Sequence, residues 1–132
     1  MTDKLQTQLE RWHKFVATKD FDILDELLAD DVKFHSPFVW KPKEGKATAV
    51  GYLSAATTVF VDFAYQREFI AEHDWALEFT ARVGELTVKG IDLIRFNDAG
   101  EIEDFEVMVR PANALQALGA EMRRRLAERG VL

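Results

Sequence analysis

The chain has no cysteine, only three prolines and only three histidines. Without cysteine there is no disulfide framework, no thiol nucleophile and no thiolate metal site. His13, His35 and His73 are scattered, with neither H-x-H nor H-x-x-x-H spacing, so no metal is expected. No apolar run approaches the roughly 20 residues that a membrane span needs. The polar opening over residues 1–11 does not read as a signal peptide. These absences lead to the expectation of a cytoplasmic soluble protein without a membrane partner. Basic residues are outnumbered, 17 Lys and Arg against 23 Asp and Glu, for a net charge of −6. That balance argues against general nucleic-acid binding, which relies on basic patches.

What is abundant is aromatic: ten Phe, three Trp and two Tyr. In a chain of 132 residues, expected to form a single domain over 1–132, these rings either fill a core or line a cavity. The most regular stretch, residues 86–110, reads as a long β-hairpin. Leu86, Val88, Gly90, Asp92, Ile94 and Phe96 share one face at period two, and Asn97-Asp98-Ala99-Gly100 supplies the turn. The return strand puts Phe105, Val107 and Val109 on the apolar face, with Asp104, Glu106 and Met108 facing away. Asp92 breaks the apolar set. A carboxylate there is desolvated, and its pKa is expected to rise unless a cation or several donors hold the charge.

The remaining elements follow from periodicity. Thr2-Asp3 offers an N-cap to a helix over about 3–18, with Leu5, Leu9, Trp12, Phe15 and Val16 on its stripe. Phe21, Leu24, Leu27 and Leu28 mark a two-turn helix closed by Ala29-Asp30-Asp31, and residues 32–36 a short strand stopped by Pro37. Residues 38–44 form an aromatic-rich loop carrying Phe38 and Trp40, ahead of a third helix over about 46–60. Residues 62–72 alternate, placing Phe63, Tyr65, Arg67, Phe69 and Ala71 on one face, and Trp75, Leu77, Phe79 and Ala81 line the inner face of the next strand. Pro111, at a helix N1 position, opens a final helix to about Arg129 with Leu115, Leu118, Met122 and Leu126 on its stripe. The fold class expected is α+β: a cone-shaped, curved antiparallel β-sheet wrapped around N-terminal helices, with an additional C-terminal helix.

Asp20-Phe21-Asp22, Leu27 through Val32, Ser36-Pro37, Gly45 and the run from Gly90-Ile91-Asp92 to Gly100-Glu101-Ile102 occur here in an order that resembles the nuclear transport factor 2-like superfamily, in its SnoaL-like and ketosteroid-isomerase-like branch. The resemblance spans nearly the whole chain and implies a homodimer around an apolar pocket. It is a poor guide to activity, because the fold hosts isomerases, cyclases, hydrolases, dehydratases and non-enzymatic binders. Ketosteroid isomerases use an Asp base just before the strand-one proline, a first-helix Tyr and a hairpin Asp. By position the hairpin acid matches Asp92, the base matches Ser36 and the Tyr matches Trp12. Serine needs a base of its own, so the familiar route to steroid isomerisation is not expected. The Asp-Arg-Asp set of related epoxide hydrolases is matched only by Asp92 and Arg67, since Asp104 points outward by alternation. SnoaL-type cyclases need chiefly one well-placed acid or base, which Asp92 supplies.

The site expected is therefore Asp92 as catalytic acid or base in a pocket formed by Trp12, Phe34, Ser36, Phe38, Trp40, Phe60, Tyr65, Phe79, Phe105 and Val107. Asp92 reads equally as a structural carboxylate satisfied by Arg67, Trp12 Nε1 or backbone donors. Arg67 reads as an edge residue or a cavity cation, and His35 as a surface or interface residue. Two functions stand side by side. One is a cofactor-free isomerase, cyclase or dehydratase acting on a hydrophobic small molecule with a carbonyl or hydroxyl. The other is a non-catalytic binder or dimeric scaffold of the same shape.

Overall fold

A computed structural model of the chain describes residues 3–130; Thr2, half of the expected first cap, lies outside them. Helix α1 (Asp3–Thr18) buries Leu5, Trp12 and Phe15 on one stripe. Asp20 caps α2 (Phe21–Leu27), its carboxylate accepting the Asp22 N–H at 3.1 Å. The chain then passes straight into β1 (Leu28–His35), so Ala29-Asp30-Asp31 are strand residues and not the end of the helix. Pairing decided this: Leu28 sits opposite Ile102 of the later hairpin, and Leu28 and Ala29 are buried while Asp30 and Asp31 face solvent.

A short β2 (Lys43–Glu44) pairs with β1 inside what read as loop. Gly45, at φ 99°, turns the chain into α3 (Lys46–Val59). The sheet continues with β3 (Val61–Ile70), β4 (Asp74–Val83), β5 (Leu86–Phe96) and β6 (Ile102–Arg110). Helix α4 (Ala112–Glu128) closes the described chain, with Pro111 as its N-cap residue, one position before the expected N1. The six strands run in the order β2-β1-β6-β5-β4-β3. All neighbours are antiparallel except β1 and β6. The sheet is curved and unclosed, and the helices pack on its concave face in the cone expected from the sequence.

Two apolar clusters hold the layers together. One joins α1, α2 and the hairpin through Trp12, Phe15, Leu24, Leu27, Ile94 and Phe105. The other joins α3 and α4 to β4 and β5 through Ala55, Val59, Ala81, Val88, Leu118 and Met122. Gly90 sits where β5 passes under the concave face: a Cβ there would lie 2.3 Å from Phe79 Cζ and 2.6 Å from the Met108 carbonyl oxygen. The missing side chain lets the Phe79 ring lie on the strand. A register shift between Tyr65 and Glu68 breaks the alternation of β3, and this shift decides which of its polar residues reach the inside.

Candidate functional site

The concave face and the helices enclose a cavity of about 250 Å³, lined mainly by apolar side chains. Trp12 and Phe15 enter from α1, Phe34 and Ser36 from β1 and its end, and Tyr52, Thr57 and Phe60 from α3 or its C-cap. Phe63, Tyr65, Phe79, Asp92, Phe105 and Val107 come from the sheet, and Leu118 and Met122 from α4. Of the residues expected to line a pocket, Trp12, Phe34, Ser36, Phe38, Phe60, Tyr65, Phe79, Phe105 and Val107 all border it, as does Asp92. Trp40 does not. It is 98 % exposed and borders a shallow outer groove with Val39 and Met108. The chain still borders the cavity at Pro37 and Phe38, and only beyond Phe38 does it leave the concave side with Val39 and Trp40.

Asp92 is buried, and Tyr65 holds it: the phenol O–H donates to Asp92 Oδ2 at 2.7 Å. Trp12 Nε1 donates in turn to the Tyr65 oxygen at 2.9 Å. An indole N–H can only donate, so the Tyr65 oxygen accepts from Trp12 and its one proton is directed at Asp92. Oδ2 is thereby an acceptor, and Oδ1 is the carboxyl oxygen left for the cavity. Arg67 has no part in this. The register shift turns it to the outer face, where Nε and Nη2 bind the buried Glu78 at 3.0 and 2.5 Å. His35 is likewise outside, 3.0 Å from Asp104.

Burial raises the Asp92 pKa from 3.8 to about 7, against a smaller opposing effect of the Tyr65 hydrogen bond. Burial, and then the neighbouring Asp92 charge, hold the Tyr65 phenol well above its ordinary value. Tyr65 was legible as a lining residue but not as the partner of Asp92. It lies on β3, with β4 between it and Asp92 on β5, so no pairing of adjacent strands signals the contact. Sequence reading also missed Tyr52, Thr57 and Phe63, and two charged residues, Lys19 and Asp62, where the cavity meets solvent. Among the described residues no group of three His, Cys, Asp or Glu is placed to hold a metal, and no helix is long and apolar enough to cross a membrane.

Removing the phenol oxygen tests this chain of donors. Tyr65→Phe is expected to raise the Asp92 pKa above the wild-type value, since the hydrogen bond from Tyr65 that lowers it is gone. It also leaves the buried Trp12 N–H without an acceptor, at a cost of about 1–3 kcal/mol. Carboxyl-carbon NMR titration and urea denaturation read the two effects, and an unchanged or lower Asp92 pKa would contradict the geometry.

The SnoaL-like domain family matches residues 9–105, from within α1 to within β6, including Asp92. The chain belongs to the SnoaL-like family. This SnoaL-like protein is similar in structure to a steroid delta-isomerase from Pseudomonas aeruginosa, with 46 % identity, a TM-score of 0.95, and coverage of 100 % of this chain and 98 % of that one. It is also similar to an uncharacterised protein with a cystatin-like fold from Silicibacter pomeroyi, at 38 % identity and TM-score 0.86, covering 91 % of this chain and 85 % of that one. A nuclear transport factor 2-like protein of unknown function from Mesorhizobium loti shares the fold at 19 % identity and TM-score 0.72, covering 83 % and 93 % of the two chains. The curated proteins contain no match to this SnoaL-like sequence.

Proposed function

We propose that this protein is a cofactor-free acid/base enzyme that isomerises an apolar carbonyl compound, with Asp92 moving the proton. The observation that carries the reading is Asp92 itself: a buried carboxyl on an apolar cavity, with one oxygen held by Tyr65 and a pKa near neutrality. A general acid or base works best with a pKa near the working pH. The reaction class follows from proton balance. Ionised Asp92 takes a proton from the carbon next to the carbonyl, the electron pair moves into a dienolate, and neutral Asp92 returns the proton two carbons further along. One carboxyl completes that cycle, whereas hydrolysis also consumes water and must expel a leaving group. The steroid delta-isomerase of 46 % identity supports the same class. The proton carrier here is the hairpin acid, because Ser36 occupies the position before Pro37. Trp12 and Ser36 serve as hydrogen-bonding and lining groups.

The test is the ultraviolet absorbance of a β,γ-unsaturated 3-ketosteroid as it becomes conjugated, run with wild type and Asp92→Asn. Conversion by wild type, lost in the variant, supports the reading; equal rates in both exclude Asp92 as the proton carrier. Ser36 favours one other function, a non-catalytic binder in which Asp92 only orients the ligand. That reading predicts saturable binding of the steroid with no conversion and no deuterium uptake from heavy water. Ile91 and Met108, exposed cross-strand neighbours on the outer face, support the homodimer implied by the family resemblance.

A further inference from the structure

Two residues other than glycine adopt a positive φ in the described chain, Lys19 at 57° and Asp62 at 55°, and both line the cavity. Lys19 follows α1, its N–H returning to the Phe15 carbonyl at 2.6 Å. That position after a helix is ordinarily glycine, because a Cβ disfavours the left-handed conformation. Asp62 stands at the junction of α3 and β3. Both are exposed, so they mark where the cavity opens to water.

Their charges are not equivalent. Asp62 is neutralised from outside the cavity by Arg82, whose Nε and Nη2 donate to Asp62 Oδ2 at 3.1 and 2.8 Å. Lys19 Nζ has no hydrogen bond or ion pair with any described residue. A cavity with walls otherwise mainly apolar thus carries one unspent positive charge at its rim and one near-neutral acid, Asp92, buried in its wall. An amphiphile of one polarity fits: a carbonyl inside and an anion outside.

Deepening the proposed function, on which this inference rests, we propose that Lys19 selects apolar ligands carrying a carboxylate or sulfate at the end that stays at the rim. The ammonium pairs with that group in contact with solvent, so the effect is a preference and not the main source of affinity. It also orients the ligand, because an anion turned inward would meet Asp92 and the apolar lining.

The experiment is calorimetric titration of naphthylacetate and its uncharged methyl ester, at low salt, into wild type, Lys19→Gln and Lys19→Gly. Wild type is expected to bind the acid about threefold to fivefold more tightly than the ester. Both variants are expected to bind the two equally. Lys19→Gly also relieves the backbone, so its loss of preference would accompany a melting temperature no lower than wild type. Ester binding with no preference for the acid in wild type overturns the role of Lys19 and leaves the proposed function standing. A preference that survives in Lys19→Gln overturns it too, since the anion then sits elsewhere. Failure to bind either compound or a steroid ketone would overturn both readings.

Discussion

Asp92→Asn is expected to stabilise the fold at neutral and higher pH while removing proton transfer in the cavity. The folded pKa of about 7 lies above the unfolded value of 3.8, so the native state binds the proton more tightly than the unfolded chain does. Below about pH 4 the group is neutral in both states and burial carries no ionisation penalty. As pH rises from about 4 to about 7, the unfolded chain ionises first and the fold loses stability. Above about 7 the full penalty applies, on the order of 4 kcal/mol from the separation of the two values. That is a large part of the 5–15 kcal/mol typical of a folded domain. Asparagine keeps the shape and still accepts from Tyr65, but it has no charge to desolvate. Urea denaturation across this pH range should give a falling contribution for wild type and none for the variant. Parallel curves would show that Asp92 ionises without penalty. Activity, where present, should fall by roughly a hundredfold to ten-thousandfold in the variant. More stable and inactive is the combination expected of a residue kept for chemistry.

Gly90→Ala is expected to destabilise the fold by about 3 kcal/mol and to abolish ligand binding. The added carbon would meet the Phe79 ring at 2.3 Å and the Met108 carbonyl at 2.6 Å, and a backbone carbonyl in a strand pair cannot swing aside. Phe79 is buried, stacked on Phe63 at 4.7 Å and edge-on to Phe60 at 5.5 Å. Its remaining direction of escape is the cavity, so the displaced ring takes the space a ligand needs. The contrast is Gly119→Ala, where the new carbon lies 3.2 Å from the edge of the Phe38 ring. That ring is partly exposed on a loop and can give way, so only a small change is expected. Denaturation midpoints and ester titration on both variants make the comparison. Equal stability for Gly90→Ala and wild type would mean that the strand and ring separate easily.

Much of this architecture was legible because periodicity acts locally. Apolar residues at period two placed Val88, Gly90, Asp92, Ile94 and Phe96 on one face, and all five are buried. The helical stripes of α1 and α4 likewise point to the core, through Trp12 and Phe15 and through Leu118, Met122 and Leu126. Alternation fails where pairing is irregular. The register shift in β3 moved Arg67 outward to Glu78, and nothing in the local pattern of residues 62–72 signals it. Leu28 joined a strand for the same reason, since its partner Ile102 lies far away in sequence.

The sequence by itself determined the order of helices and strands apart from β2, the inward position of Asp92 and the family. Each rests on local periodicity or on motif order, which the chain carries without reference to its distant parts. Only the tertiary structure decided what Asp92 touches. The line from Trp12 through Tyr65 to Asp92 joins residues 53 and 27 positions apart, and its direction depends on ring placement across two strands and a helix. The charges on the cavity lining were decided there too, because Lys19, just after α1, and Asp62 of β3 border one cavity only in the folded chain.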